Sequence, residues 1–131
     1  MKPEQPTKPC VLVVDDDPET QGFMKVLLGG RYEVRLASSG EEMRRQLAGA
    51  AGVVRLVLMD VSLKGGEDGL ELTRALRKEK DWKKLPVVAV TAHAFASDRA
   101  KALAAGCDAY VEKPIDNERL LSLIQRLMAG T

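Results

Sequence analysis

Val11-Leu12-Val13-Val14-Asp15-Asp16-Asp17-Pro18 is the stretch that decides the fold. Four apolar residues, three of them β-branched, read as a short buried strand. Three aspartates then end the run, and the proline after them opens a helix with Asp17 as its N-cap. A second run, Leu56-Val57-Leu58-Met59, also stops at an aspartate, Asp60. An apolar strand that ends on a carboxylate places that carboxylate at the strand's exit. Two such exits side by side make an acidic pocket, and an acidic pocket calls for a cation.

The pattern repeats outward from these runs. Short apolar segments at Cys10–Val14, Tyr32–Ala37, Leu56–Met59, Val87–Val90 and Ala109–Val111 alternate with longer segments of helical period. Tyr32–Ala37 includes Arg35 and alternates more, as an edge strand does. Helices are expected from Pro18 to about Leu28, from Ser39 or Gly40 to Gly49, and from near Asp68 through Leu72 and Leu76. Two more are expected over Ser97–Ala105 and Asp116–Met128, the last with Leu120, Leu123, Ile124 and Leu127 on one stripe. Strand-helix repeated five times implies an α/β fold, a doubly wound parallel sheet between two helical layers.

The chain has 131 residues, of which 45% are hydrophobic and 30% charged, enough for one globular domain with a real core. A formal net charge of +1 gives no reason to expect nucleic acid or a membrane surface as partner. No stretch approaches the roughly 20 apolar residues of a membrane span. Residues 1–9 are polar, carry three prolines and lack a signal-peptide core, so they read as a disordered lead-in to a domain over residues 10–129. The expected compartment is the cytoplasm.

All strands of a parallel sheet share one carboxyl-terminal edge, where ligands bind. Asp15 and Asp16 follow the first strand and Asp60 the third. Thr91 ends the fourth, and Glu112-Lys113-Pro114 follows the fifth. Each has a plainer reading: N-cap, turn residue, capping hydroxyl, solvated lysine. Together they put carboxylates, a hydroxyl and an ammonium on one rim, a cation site beside an anion site.

Val13-Val14-Asp15-Asp16-Asp17-Pro18, Leu58-Met59-Asp60, Val90-Thr91-Ala92 and Glu112-Lys113-Pro114 resemble the motif set of bacterial response-regulator receiver domains, in the same order and spacing. The resemblance covers residues 10 to 129. It implies a flavodoxin-like sheet of order 2-1-3-4-5. It implies that Asp60 accepts a phosphoryl group from a sensor histidine kinase or a histidine phosphotransfer domain. Mg²⁺ or Mn²⁺ would be held by Asp15, Asp16, Asp60 and the Ser62 backbone carbonyl. Lys113 and Thr91 would contact the phosphoryl oxygens, and a cis Lys113-Pro114 bond would turn the lysine inward. Thr91 and Tyr110 would form the switch, read by a downstream protein at the face of the fourth helix, fifth strand and fifth helix, in a monomer or weak dimer. The phosphotransfer is self-catalysed, not enzymatic turnover of a separate substrate.

In that strand order two strands separate Cys10 from Cys107. Three spacings of about 4.8 Å exceed the roughly 7 Å reach of a disulfide, so the thiols stay free.

The loop Val61-Ser62-Leu63-Lys64-Gly65-Gly66-Glu67-Asp68-Gly69 departs from the family pattern. Lys64 stands where a proline is usual, and one residue is added, which suggests a more mobile loop. Ser62 and His93 flank the expected phosphoryl group and are candidates for tuning its lifetime; the plainer reading of His93, and the favoured one, is a rim histidine touching solvent. Two other classes fit less well. An aspartyl-phosphate phosphatase wants Asp-x-Asp with nucleophile and acid two apart, but Ser62 stands two after Asp60. A flavin binder wants a phosphate loop where the aspartates would repel phosphate.

Overall fold

A computed structural model describes residues 8–49, 53–92 and 96–129. The elements alternate as β1 (Cys10–Val14), α1 (Pro18–Leu28), β2 (Glu33–Ala37), α2 (Gly40–Gly49), β3 (Val54–Asp60), α3 (Gly69–Arg77), β4 (Val87–Thr91), α4 (Ala96–Ala105), β5 (Ala109–Glu112) and α5 (Asn117–Ala129). Two short 3₁₀ turns, Lys64–Gly66 and Lys80–Trp82, flank α3. The five strands form one parallel sheet in the order β2-β1-β3-β4-β5.

The two-residue period of β1 sorts its side chains onto two cores. Cys10, Leu12 and Val14 pack with Met43 and Leu47 of α2, Leu76 of α3, and Ala102 and Ala105 of α4. Val11 and Val13 face the other way, onto Met24 and Leu28 of α1 and Leu120, Leu123 and Ile124 of α5. Every residue of β1 is buried, as expected of a central strand covered on both faces. The chain winds one way for α1 and α5 and the other for α2, α3 and α4, and the reversal falls between β1 and β3. That switch point places a crevice beyond the ends of these two strands.

The expected elements are present, with shifted ends. Tyr32 lies just before β2 and packs in the core, its amide bonded to the Leu28 carbonyl. β3 begins two residues earlier than the apolar run, at Val54, and keeps Asp60 within the strand. Helix α5 starts at Asn117 because Asp116 caps it, accepting the Arg119 amide at 3.2 Å. Cys10 and Cys107 are free and buried, and burial pushes both thiols above their ordinary pKa.

At the opposite edge of the sheet Arg77 ends α3 and binds four groups on two segments. Its guanidinium donates to the carbonyls of Gly106 (2.9 Å), Trp82 (3.0 Å) and Leu85 (2.6 Å), and to Asp108 Oδ2 (2.9 Å). The same Asp108 oxygen accepts the Val87 amide at the start of β4. Gly106, with φ of 108°, leaves the space that Arg77 fills; a Cβ there would meet Arg77 Cγ at 2.7 Å. No local sequence pattern singles out Arg77.

Candidate phosphoacceptor site

β1 and β3 pair in register, with Val14 beside Met59, so Asp15 and Asp60 leave adjacent strands at one level. Asp15, Asp16 and Asp60 each bring a carboxylate oxygen to within 4.8 Å of the other two. Asp15 and Asp60 are buried, at 2% and 6% exposure, and Asp16 is half-buried at the mouth.

Asp17 does not join them. Its Oδ1 accepts the Glu19 amide at 3.3 Å and its Oδ2 the Thr20 hydroxyl at 2.8 Å, which makes it the N-cap of α1. The Thr20 hydrogen bond is the main reason its carboxyl sits below the usual range. Asp15 is fixed on several sides. Its Oδ1 accepts the Asp17 amide at 2.9 Å, its own amide donates to the Ala37 carbonyl, and its carbonyl accepts Gln21 Nε2 at 2.6 Å. Gln21 also reaches Ser38 Oγ at 3.2 Å, so one α1 side chain ties the exits of β1 and β2 together. No local pattern marks Gln21 as part of the site.

Asp60 Oδ1 accepts the Ser62 amide at 3.0 Å. Burial pushes the Asp60 carboxyl above the ordinary range; the Ser62 bond opposes this, Asp15 and Asp16 add to it, and Lys113 relieves it. Such a carboxylate gains from a nearby cation. Oxygen donors at this separation suit a hard divalent ion such as Mg²⁺, and no soft ligand is among them. Lys113 Nζ lies 3.4 Å from Asp15 Oδ2. Its backbone amide donates to the Thr91 carbonyl at 2.7 Å, and the Lys113-Pro114 bond is cis. Thr91 is buried at the end of β4, the strand next to β3.

Tyr110 is half-buried in β5 and packs on the core cluster beneath α4. Burial pushes its hydroxyl up, with Asp98 and Glu112 adding to the effect. The Ser62 side chain is exposed, its backbone being the part that meets Asp60. His93 lies outside the described residues.

The β3–α3 loop is held at several points. Leu63 is buried, and its amide bonds to the Glu67 carbonyl. Ser62 and Asp68 form an isolated antiparallel bridge, and Gly65 and Gly66 make the tip at φ of 80° and 84°. Asp68 caps α3 through the Leu70 amide at 2.8 Å. Glu67 reaches α2, where its Oε1 accepts the Gly40 amide at 2.9 Å. The added loop residue is thus folded into a closed, bridged turn.

Carboxylates converging at the switch point of a 2-1-3-4-5 sheet, with a lysine and a buried threonine beside them, define the receiver class. Residues 11–125 match the response regulator receiver domain, and the chain belongs to that family. It is 37% identical over 124 residues to the transcriptional regulatory protein AruR of Pseudomonas aeruginosa, covering 92% of this chain and 49% of AruR. It is 34% identical over 125 residues to the signal transduction histidine-protein kinase BarA of Escherichia coli K12, covering 92% of this chain but 13% of BarA. The chain therefore spans about half the length of AruR and a small part of BarA. In three dimensions it resembles the receiver domain of the sensor histidine kinase PA1611 from Pseudomonas aeruginosa, with TM-score 0.83 and 29% identity over 94% of this chain and 99% of that one. That domain holds a magnesium ion in its active-site cleft. This chain is a receiver domain of two-component signalling.

Proposed function

We propose that Asp60 is the phosphoacceptor. A carboxylate oxygen of Asp60 bonds to phosphorus as the N–P bond of a phosphohistidine breaks. The donor imidazole nitrogen keeps the bonding electron pair. The donor is a sensor histidine kinase or a histidine phosphotransfer domain. The observation that carries this reading is the set of three carboxylate oxygens within 4.8 Å, two from buried residues, beside Lys113.

Asp15, Asp16, Asp60 and the Ser62 carbonyl are the residues that would hold Mg²⁺ or Mn²⁺. Bound there, the ion would offset the repulsion between carboxylate and incoming phosphoryl group. Asp15 and Gln21 fix the floor of the site, and the Ser62 amide orients the Asp60 carboxylate. Lys113 exchanges its contact with Asp15 for a phosphoryl oxygen, acting as a point charge. Thr91 donates its hydroxyl to another. Ser62 and His93 set the lifetime of the phosphoryl group. The reaction modifies the protein's own side chain, so the domain is a switch rather than an enzyme acting on a separate substrate.

The switch is read at the α4–β5–α5 face through Thr91 and Tyr110. There Arg99, Arg119 and Arg126 line a cleft of about 470 Å³ with Leu103, Tyr110 and Leu123. Among the described residues none of these three guanidinium groups is in an ion pair, which favours an acidic partner surface. The domain over residues 10–129, preceded by the lead-in, acts in the cytoplasm as a monomer or weak dimer.

The test is incubation with acetyl phosphate and Mg²⁺, followed by intact mass measurement of the wild type and Asp60→Ala. A phosphoryl adduct on the wild type alone is expected. An equal adduct on Asp60→Ala moves the acceptor elsewhere.

A further inference from the structure

Glu67 takes no part in the site as the sequence presents it. It stands in the loop between the reactive carboxylate and α3, yet its side chain ends at the start of α2. The Oε1–Gly40 amide bond of 2.9 Å joins residues 27 apart. The fit around it is close. A Cβ at Gly40 would meet Glu67 Oε2 at 2.7 Å and Leu72 Cδ2 at 2.8 Å, so position 40 is bare because the carboxylate lies against it. The local charge is favourable, since the first amides of a helix carry partial positive charge. Ser39 supplies a separate cap, its Oγ accepting the Glu42 amide at 3.1 Å, and Glu42 in turn accepts the Ser38 amide. Glu67 therefore joins an already capped helix and adds a tie to the loop.

That tie bears on the chemistry through the loop backbone. The Glu67 carbonyl accepts the Leu63 amide at 3.1 Å, the Ser62–Asp68 bridge closes the turn, and the Gly69 amide bonds to the Val61 carbonyl. These contacts set the position of Ser62, whose amide holds Asp60 Oδ1. With two glycines at positive φ at its tip, the loop has little stiffness of its own. Its outer arm needs an external anchor, and Glu67 on α2 is that anchor.

We propose that Glu67 is a positioning residue for the Asp60 site, its carboxylate bound to the α2 amino terminus and holding Ser62 in place to orient Asp60 and offer a carbonyl to the metal. The proposal rests on the receiver reading. It goes beyond that reading by coupling the state of Asp60 to α2, away from the α4–β5–α5 face. Coupling of this kind is reciprocal: whatever orders the site also tightens the Glu67–Gly40 bond.

The experiment uses the whole chain, with Mg²⁺ as probe and backbone amide NMR as readout, on wild type, Glu67→Gln and Glu67→Ala. Glutamine keeps an acceptor for Gly40; alanine removes it. Mg²⁺ affinity should fall roughly tenfold in Glu67→Ala, the low end of what loss of a supporting contact costs a metal site. Glu67→Gln should recover most of it. The Gly40 amide should shift on Mg²⁺ addition in wild type and Glu67→Gln, and stay still in Glu67→Ala. A merely structural role would lower the melting temperature of Glu67→Ala and leave Mg²⁺ affinity unchanged; that result, or a Gly40 amide silent in the wild type, overturns the proposal. The parent reading is checked separately by the Asp60→Ala adduct comparison. Glu67 variants that change Mg²⁺ affinity alongside a wild type that forms no adduct would retain the anchor and remove the phosphoacceptor.

Discussion

Lys113 Nζ sits 3.4 Å from Asp15 Oδ2, across 98 residues of sequence. The lysine thus occupies part of the charge space that a divalent cation would take. Asp15 is almost fully buried, out of reach of bulk water, and the ammonium serves as its charge partner. In the proposed reading, metal and lysine would compete for one carboxylate, and the phosphoryl group would give the displaced lysine a new partner.

Lys113→Met should bind Mg²⁺ more tightly and react more slowly. Removing a like charge a few ångströms from the ion is worth about 1 kcal/mol even at bulk dielectric, or roughly a fivefold gain in affinity. Loss of a positive contact to the transferring group should slow modification by acetyl phosphate about 100-fold or more. Calorimetric titration and adduct kinetics check the two halves. Weaker Mg²⁺ binding in Lys113→Met contradicts the competition.

Asp60→Asn should stabilise the metal-free fold at neutral pH. The Asp60 carboxyl is raised by burial and by its acidic neighbours, so the folded state disfavours its ionised form. That penalty is fully present above the raised pKa and disappears as pH falls below the ordinary carboxylate value, where folded and unfolded chains are both protonated. Asparagine carries no penalty and still accepts the Ser62 amide. Melting curves in chelator at pH 7 and near pH 4 should show a gain for Asp60→Asn at the first and a much smaller one at the second. A variant melting below the wild type at pH 7 refutes this.

Mg²⁺ should reverse that ranking. A ligand that binds only the folded chain adds about 2.7 kcal/mol at 100 times its dissociation constant. The wild type should gain this and Asp16→Asn or Asp60→Asn much less, as read from melting temperatures with and without Mg²⁺. Equal gains in all three would place the ion elsewhere.

Gly69→Ala should damage the site from behind. A Cβ at Gly69 would lie 2.1 Å from the Asp60 carbonyl oxygen and 2.9 Å from Met59 Cγ, and the first of these is backbone that cannot turn aside. The overlap should cost about 1–3 kcal/mol and push the end of β3 outward. Denaturant unfolding measures the loss, and adduct formation should fall with it. An alanine variant as stable and reactive as the wild type would mean the loop yields freely.

Arg77→Lys should destabilise without touching the chemistry. Lysine keeps the charge but cannot serve three carbonyls and Asp108 in a planar fork. The expected cost is about 2–3 kcal/mol, the loss of charge-assisted bonds from half-buried groups. The rate of adduct formation at a temperature where the variant is folded should match the wild type. An intact melting temperature would show that the clamp is dispensable.

Much of this was legible in the sequence because it is local. The alternation of apolar runs with helical segments, the N-cap role of Asp17 and the exits at Asp15, Asp60 and Thr91 all follow from residues within a few positions of one another. Periodicity also explains why strand ends are less legible than strand centres. Val54 lies outside the continuous apolar run because Arg55 interrupts it, though the strand includes both. Ser39 with Glu42 three residues on is a local helix-start signal, and the Ser39 hydroxyl does cap α2.

The sequence by itself determined the order of elements and which side chains stand at strand ends, since the two- and 3.6-residue periods are properties of the backbone. Only the tertiary structure decided which of those side chains meet. Lys113 on Asp15, Gln21 between β1 and β2, Glu67 on α2 and Arg77 on Asp108 depend on strand order and on how closely the layers pack. Those contacts arise when distant segments bury their apolar faces together, and no local pattern records where a long polar side chain then finds its partner.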